Sequence, residues 1–171
     1  MKKAVIVING AGGVGKDTLC DAAATAYKTR NISTITPIKE IASFCGWNGV
    51  KDNKSRKFLS DMKRLCADYN DFPTNWAKAQ FENFLQTDEE ILFVHIRESE
   101  EISKFVEATG GAAKTLLIRG GDRFKQKCGK YGNTSDDDVE NFAYDYYFDN
   151  DTFISDAKQR FIKFVSKILN A

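Results

Sequence analysis

The stretch Ala4-Val-Ile-Val-Ile-Asn-Gly-Ala-Gly-Gly-Val-Gly-Lys-Asp-Thr18 decides the fold. It opens with an apolar, largely β-branched run, Ala4–Ile8, which is typical of a parallel strand buried on both faces. A glycine-rich turn follows this run, and a helix is predicted to begin near Asp17. A buried strand that passes through a short turn into a helix predicts an α/β fold.

The turn between this strand and helix has the features of a phosphate-binding loop. Its glycines allow the backbone to curl so that successive N–H groups point at one anion, and the helix adds the positive end of its dipole. Lys16 adds a full charge for the outer phosphates of a nucleotide. The spacing Gly10-x4-Gly15-Lys16 matches the nucleotide-binding signature. The alternative is a glycine-rich turn that binds no ligand.

One position departs from that signature. A Ser or Thr normally follows the lysine and helps to hold magnesium, whereas this chain has Asp17 there and a hydroxyl one place later, at Thr18. We therefore expect Asp17 and Thr18 to help hold Mg²⁺, directly or through water. The loop residues predicted to bind the nucleotide are Gly10, Gly12, Gly13, Val14, Gly15, Lys16, Asp17 and Thr18.

The length and the net charge of the chain limit its possible domain number and binding partners. A chain of 171 residues is expected to form one domain, and its 25 basic and 24 acidic residues give no overall attraction to nucleic acid or anionic membranes. No apolar stretch reaches membrane-spanning length, and the Met-Lys-Lys start runs into a strand rather than a signal peptide. We expect a cytoplasmic monomer or homodimer without nucleic-acid or membrane partners.

The cysteines are widely separated and form no Cys-x-x-Cys pair. This spacing favours reduced, buried thiols over disulfides or zinc ligands. The four residues concerned are Cys20, Cys45, Cys66 and Cys128.

Strand and helix patterns alternate along the chain, which predicts a three-layer α/β/α fold with a five-stranded parallel sheet. The predicted strands cover about 3–9, 32–36, 91–96, 114–118 and 144–148. The predicted helices cover about 17–29, 37–44, 54–68, 74–86 and 100–109, with a last one from Asp151 or Thr152. The segment 37–86 is then a helical region beside the site, and the polar segment 119–143 is a lid-like excursion.

Ligands of such folds lie at the carboxyl ends of the strands, where three arginines occur. Arg97, Arg119 and Arg123 lie at or just past predicted strand ends, and Arg56 lies on the long helix. Guanidinium groups suit phosphate oxygens, so with Lys16 these strand-end arginines are the predicted catalytic residues. A solvated surface role is the alternative for each arginine.

The metal site is less well defined by the sequence. An acidic residue usually ends the strand beside the loop strand, but His95 stands at that place. It is either a packed strand histidine, or a ligand or base. The run Asp136–Asp138 is interpreted as a helix cap or solvated face rather than as a metal site.

Several short segments carry a resemblance to one family. Gly15-Lys16-Asp17 resembles the loop of P-loop kinases of the nucleoside-monophosphate-kinase-like group, close to phage-type deoxynucleoside monophosphate kinases and animal-type phosphomevalonate kinases. Further similar segments are Pro37-Ile-Lys-Glu40, Arg56-Lys-Phe-Leu59, Arg97–Ile102, Arg119 and Asp145–Asn150. The resemblance implies a P-loop NTPase fold of the nucleotide-kinase type.

The resemblance also implies substrates and further site residues. ATP with Mg²⁺ would bind the loop, Asn150 would border the adenine, and Lys39 and Arg56 would bind a small phosphorylated acceptor. The acceptor most in keeping with the resemblance is a (deoxy)nucleoside monophosphate. There are two alternatives. One is a kinase that acts on another small phosphorylated metabolite, and the other is a module that binds ATP or GTP without efficient phosphoryl transfer. His95 is the departure from the family that favours the last of these.

Overall fold

The computed structural model describes residues 2–121, 139 and 142–171. Its five strands form one parallel sheet in the order β2-β3-β1-β4-β5. The strands are β1 (Ala4–Asn9), β2 (Thr29–Ser33), β3 (Ile91–His95), β4 (Ala113–Gly120) and β5 (Tyr146–Asn150). The helices are α1 (Lys16–Ala23), α2 (Thr36–Phe44), α3 (Asn53–Asn70), α4 (Phe72–Leu85), α5 (Ser99–Ala108) and α6 (Ile154–Asn170).

The central strand is β1, and every one of its six residues is buried. It pairs with β3 in the register Ile8–His95 and with β4 in the register Asn9–Leu117. Side chains alternate along it, so one face of the sheet packs under α1 and α6 and the other under α4 and α5. The predicted three-layer architecture with five parallel strands is therefore confirmed.

The first helix is shorter than predicted. It ends at Ala23 instead of continuing to residue 29, and β2 begins three residues earlier than expected. The Thr25 hydroxyl donates to the Ala22 carbonyl at 2.7 Å, and the amides of Thr25 and Ala26 form bonds that tighten the last turn. A threonine that bonds to the backbone in this way competes with continuation of the helix.

The last strand and helix are also displaced from their predicted positions. β5 starts at Tyr146 rather than Tyr144, because its pairing with β4 runs from Leu116–Tyr146 to Gly120–Asn150. The last helix starts at Ile154 rather than at Asp151 or Thr152, and Phe153, which the predicted helix would include, precedes it and is exposed. Most of the predicted excursion, residues 122–138, 140 and 141, lies outside the described residues.

The long helix α3 does not bury its apolar residues as one stripe. Its 3-and-4 spacing places Phe58, Met62, Leu65 and Cys66 near one face, yet α3 has no fully buried residue. The Phe58 and Leu65 side chains are exposed, and only Met62 and Cys66 of this set are half-buried. Leu59, outside this set, is also half-buried, and α3 lies against α2 and α4.

The thiols are only partly as predicted. Cys20, Cys45 and Cys66 are all free, but Cys45 is exposed and only Cys20 is buried. Burial raises the pKa of the Cys20 thiol to about 12, so it stays protonated and unreactive. Cys128 lies outside the described residues.

Lys3, just before β1, forms hydrogen bonds to the end of α4 and the segment after it. Its Nζ donates at 3.0 Å to the carbonyl of Phe84, in the last turn of α4, and at 2.8 and 2.7 Å to the carbonyls of Thr87 and Glu89 in the segment that follows. We expect Lys3→Met to lower the free energy of unfolding by about 1–3 kcal/mol, because three partly buried carbonyls lose a charged donor.

The measurement is urea denaturation, with Lys2→Met as the matched control. The Lys2 ammonium is exposed and makes one long bond, at 3.4 Å, to the Asn170 carbonyl. Equal stability of the two variants would contradict this account of Lys3.

Candidate nucleotide-binding site

The glycine-rich loop, Gly10–Gly15, leaves the carboxyl end of β1 and enters α1. Three of its glycines have positive φ, with values of 147° at Gly10, 77° at Gly13 and 92° at Gly15. These are conformations that residues with a side chain rarely adopt. The loop therefore curls back in front of the first turn of α1, as the sequence predicts for a phosphate-binding loop.

At two of these positions the surrounding atoms also leave no room for a side chain. A Cβ at Gly10 would lie 2.5 Å from the Ile118 carbonyl oxygen of β4, and one at Gly15 would lie 2.9 Å from Asn150 Nδ2. The loop is thus pressed against the ends of the two strands on that side of β1. A side chain would clash with the backbone of β4 at Gly10 and with the Asn150 side chain at Gly15.

Asn150 supports the loop from the end of β5. This buried side chain donates from Nδ2 to the Val14 carbonyl at 2.9 Å. Asn150 thus touches the loop at its base, while the contact with adenine that the resemblance implies stays a prediction. Val14 is itself buried, which anchors the middle of the loop in the core under α1.

Lys16, the first residue of α1, directs its ammonium over the loop. Its Nζ donates to the Gly10 and Ala11 carbonyls, the second at 3.0 Å. The charge therefore lies beside the N–H groups of the loop and the positive end of the α1 dipole. Such an arrangement suits an anion with several negative oxygens.

Two of the three predicted catalytic arginines lie at the same edge of the sheet. Arg97 follows β3 and is exposed, and Arg119 is the last residue but one of β4. The Arg119 guanidinium binds Asp149 in a bidentate pair at 2.8 and 3.1 Å and lies 5.0 Å above the Tyr147 ring. Arg123 lies outside the described residues, so its catalytic role stays a prediction.

His95 faces the first turn of α1 from the end of β3. Burial lowers the pKa of His95, and the nearby Lys16 and Arg97 lower it further while Asp17 opposes the shift. The imidazole is therefore neutral near pH 7. Its Nε2 lies 3.4 Å from Asn31 Oδ1 on β2, which favours the interpretation of a packed strand histidine.

The donors near the loop fit a magnesium ion that is held mainly by phosphate and water. Within residues 2–121, 139 and 142–171, no group of three or more His, Cys, Asp and Glu converges on one point. Magnesium is usually held by one or two side-chain oxygens together with substrate phosphates. The exposed Asp17 carboxylate and the Thr18 hydroxyl supply such oxygens, whereas the His95 nitrogen does not suit this metal.

The two predicted acceptor residues lie on separate helices. Lys39 is exposed on α2 and Arg56 is exposed on α3. Lys63 lies two helical turns after Arg56, on the same side of α3. Its Nζ donates to the carboxylates of Glu98 and Glu101, both at 2.6 Å. This cluster fixes α3 to the start of α5 at the carboxyl edge of the sheet.

Sequence reasoning missed that cluster and one other polar feature. Asn9 and Tyr144 are hydrogen-bonded to each other in the core, immediately below the loop. In the sequence, Asn9 and Tyr144 stand only as end residues of the predicted strands 3–9 and 144–148. The polar residue at the end of an otherwise apolar strand was the only signal for Asn9.

Comparison with known proteins supports the fold assignment. No protein-family model and no curated protein matches the chain. A tunicamycin resistance protein from Deinococcus radiodurans is similar in structure, with a TM-score of 0.58 at 10% identity over 96% of both chains. A shikimate kinase from Aquifex aeolicus gives 0.53 at 8% identity, covering 95% of this chain and 96% of that one. A gluconokinase from Sinorhizobium meliloti gives 0.52 at 12% identity, covering 99% and 94%.

These similarities extend over nearly the whole chain and establish a shared architecture, the α/β P-loop NTPase fold. In the part of the chain that the structure describes, no helix is long and apolar enough to cross a membrane.

The Lys63–Glu98–Glu101 cluster makes stability depend on pH. Burial raises the pKa of Glu101 to about 7, and its Oε1 is buried without a hydrogen-bond partner. The folded state therefore binds a proton that the unfolded chain, with its ordinary pKa of 4.5, has released. The stability of the protein is thus expected to fall as the pH rises from about 4.5 to about 7.

We expect Glu101→Gln to flatten this pH dependence and to stabilise the protein above pH 7, because the amide imitates the protonated acid. The measurement is urea denaturation at pH 5.5, 6.5 and 8. Glu100→Gln, in the exposed neighbour that pairs with Lys104, is the control and should keep the wild-type slope. An unchanged slope in Glu101→Gln would refute the assignment.

Proposed function

We propose that the protein is an ATP-dependent phosphotransferase that acts on a small metabolite. The observation that carries this proposal is the conformation of Gly10–Gly15, with Lys16 over the loop and α1 behind it. Backbone N–H groups, a helix dipole and a lysine at one place form the kind of site that binds the phosphates of a nucleotide. The kinase names of two structural neighbours are in keeping with this chemistry.

In this proposal, Lys16 and the strand-end arginines act on the transferring phosphoryl group. Lys16 bridges the outer phosphates and follows the group as it moves, while Arg97, Arg119 and Arg123 neutralise the charge that develops in the transition state. Asp17 and Thr18 would hold Mg²⁺, which supplies further neutralisation when it is bound. Because Arg119 is paired with Asp149 on one side of its guanidinium, its position is fixed before any nucleotide binds.

The proposed acceptor carries a phosphate of its own, with a (deoxy)nucleoside monophosphate as the preferred compound. Lys39 and Arg56 would bind that phosphate from α2 and α3. A phosphate oxygen is already an anion and needs no general base, whereas a hydroxyl acceptor requires one. The neighbours include a shikimate kinase and a gluconokinase, so hydroxyl acceptors are the competing class for this chain.

A second candidate function is a nucleotide-binding module that transfers no phosphoryl group. The neutral His95 favours it, since the end of β3 beside the loop then carries no acid for the metal. Tight nucleotide binding without ADP release, on any acceptor, would support this candidate over a kinase.

Lys16→Ala tests the loop. We expect it to lower nucleotide or transition-state binding by about 2–4 kcal/mol, because a charge-assisted contact is lost in a partly desolvated site. Calorimetric titration with ATP and Mg²⁺ measures the affinity, and an ADP-release assay measures turnover. The control is Lys163→Ala, which changes an exposed lysine on α6. Unaltered affinity and turnover in Lys16→Ala would show that the loop is not the site.

The acceptor class is tested with a panel in the same ADP-release assay. The panel contains nucleoside monophosphates, other phosphorylated metabolites, shikimate and gluconate. We expect turnover with a phosphorylated acceptor, and we expect Arg56→Ala to raise its KM about tenfold or more while leaving ATP affinity unchanged. Arg64→Ala, two turns further along α3, is the control. Turnover only with the unphosphorylated compounds would contradict the proposed acceptor.

A further inference from the structure

The last residue of β1 is an asparagine that is fully buried beneath the glycine-rich loop. Asn9 has 1% of its surface exposed. Its Oδ1 accepts from the Gly10 amide at 2.8 Å, and its Nδ2 donates to the Arg97 carbonyl at 3.1 Å and to the Tyr144 hydroxyl at 2.8 Å. The amide cannot be turned over, because Gly10 N–H can only donate and the Arg97 carbonyl can only accept.

Tyr144 completes this arrangement from the segment that precedes β5. Its hydroxyl accepts from Asn9 and donates to the Val139 carbonyl at 2.9 Å, so both of its roles are fixed. Burial raises the pKa of Tyr144, which keeps the phenol protonated and able to donate. Its side chain lies among the core residues under α4 and α5, where a polar atom is retained only if it is paired.

The hydrogen bonds of Asn9 and Tyr144 also connect to Arg97 and Arg119, the two arginines of the proposed site that the structure describes. Arg97 is held through its main-chain carbonyl by Asn9. The Tyr144 amide donates to the Tyr147 hydroxyl at 3.2 Å, and the Tyr147 ring carries the Arg119 guanidinium at 5.0 Å. A network that is buried at Asn9 and Tyr144 therefore runs from the first residue of the loop to the chain beside Arg97, and it reaches Arg119 through the exposed Tyr147 ring.

We propose that Asn9 and Tyr144 are positioning residues, which fix the start of the glycine-rich loop relative to Arg97 and Arg119. This inference rests on the proposed function, because it assigns the network a role in phosphoryl transfer. Neither side chain is exposed, so neither would touch the nucleotide. They act by fixing the angle at which the backbone leaves β1 and the place from which Arg97 extends. Small errors in such geometry are costly in reactions that depend on alignment and charge.

The main test is Tyr144→Phe, which removes one oxygen and keeps the ring. Asn9 Nδ2 then loses one of its two acceptors, keeping the Arg97 carbonyl, and the Val139 carbonyl loses its donor. We expect the Gly10 amide to exchange with deuterium about three- to tenfold faster, since the loop opens more readily. We also expect kcat/KM to fall by on the order of tenfold, at a temperature where urea denaturation shows the variant folded.

The matched control is Tyr146→Phe, the same chemical change two residues along. The Tyr146 ring packs against Phe164 of α6, on the face of the sheet away from Tyr144. A second variant, Asn9→Asp, keeps the acceptor for the Gly10 amide and removes the donor to Tyr144 and Arg97. It should change exchange and turnover in the same direction, and by at least as much.

Two readouts separate failure of this inference from failure of the proposed function. If amide exchange at Gly10 is unchanged in Tyr144→Phe, the network does not fix the loop, and the inference is overturned whatever the enzyme does. If exchange quickens but kcat/KM equals that of Tyr146→Phe, the network has a structural role only, which also overturns it. If the wild-type protein binds no nucleotide, the proposed function fails, and with it the role in transfer. Faster exchange together with lower kcat/KM supports the inference.

Discussion

The close approach of Gly10 to β4 is the constraint on which the candidate site depends. The carbonyl of Ile118 lies where a side chain at Gly10 would begin, so the chain can turn out of β1 only at a residue without one. That turn brings the loop in front of α1 and directs Lys16 back over Gly10 and Ala11. The position of β1 in the centre of the sheet then places residues from β3, β4 and β5 around the loop.

Polar contacts from three directions stabilise this arrangement. Asn150 supports the loop from β5, and Asn9 joins it to β3 and to the segment before β5. The Lys63–Glu98–Glu101 cluster attaches α3 to the same edge. Buried polar groups contribute to a unique structure only where each is paired. Burial of the Glu101 carboxyl raises its pKa and is the main cause of the cluster's dependence on pH, while the unpartnered Oε1 is the weak point of the cluster.

The sheet and the loop could be predicted from the sequence because both depend on local signals. The apolar runs that form β1, β3 and β4 are typical of buried parallel strands, and the glycine spacing before Lys16 has a specific backbone requirement. Element ends were less predictable. α1 stops at Ala23 because of a threonine contact, and β5 starts where its pairing with β4 begins. The end of α1 and the start of β5 are therefore not marked by a strong pattern in the local sequence.

The remaining differences arise from contacts between distant parts of the chain. The apolar spacing on α3 predicts a buried face, but the helix turns Phe58 and Leu65 outwards and uses Lys63 to reach α5. Asn9 and Tyr144 are 135 positions apart, so no local pattern could pair them. Arg97 and Arg119 could be predicted to share one edge because parallel strands have a common carboxyl edge, a rule of topology that does not depend on local contacts, while their catalytic role stays a prediction.

The central claim is that a nucleotide binds at the glycine-rich loop. The most direct measurement is the change in backbone amide chemical shifts when ADP and Mg²⁺ are added to the ¹⁵N-labelled protein. The account predicts that the largest changes occur at Gly12, Gly13, Gly15 and Lys16, with smaller ones along α1. Nucleotide binding with its largest changes elsewhere, for example at the end of α5, or no binding at all, would contradict it.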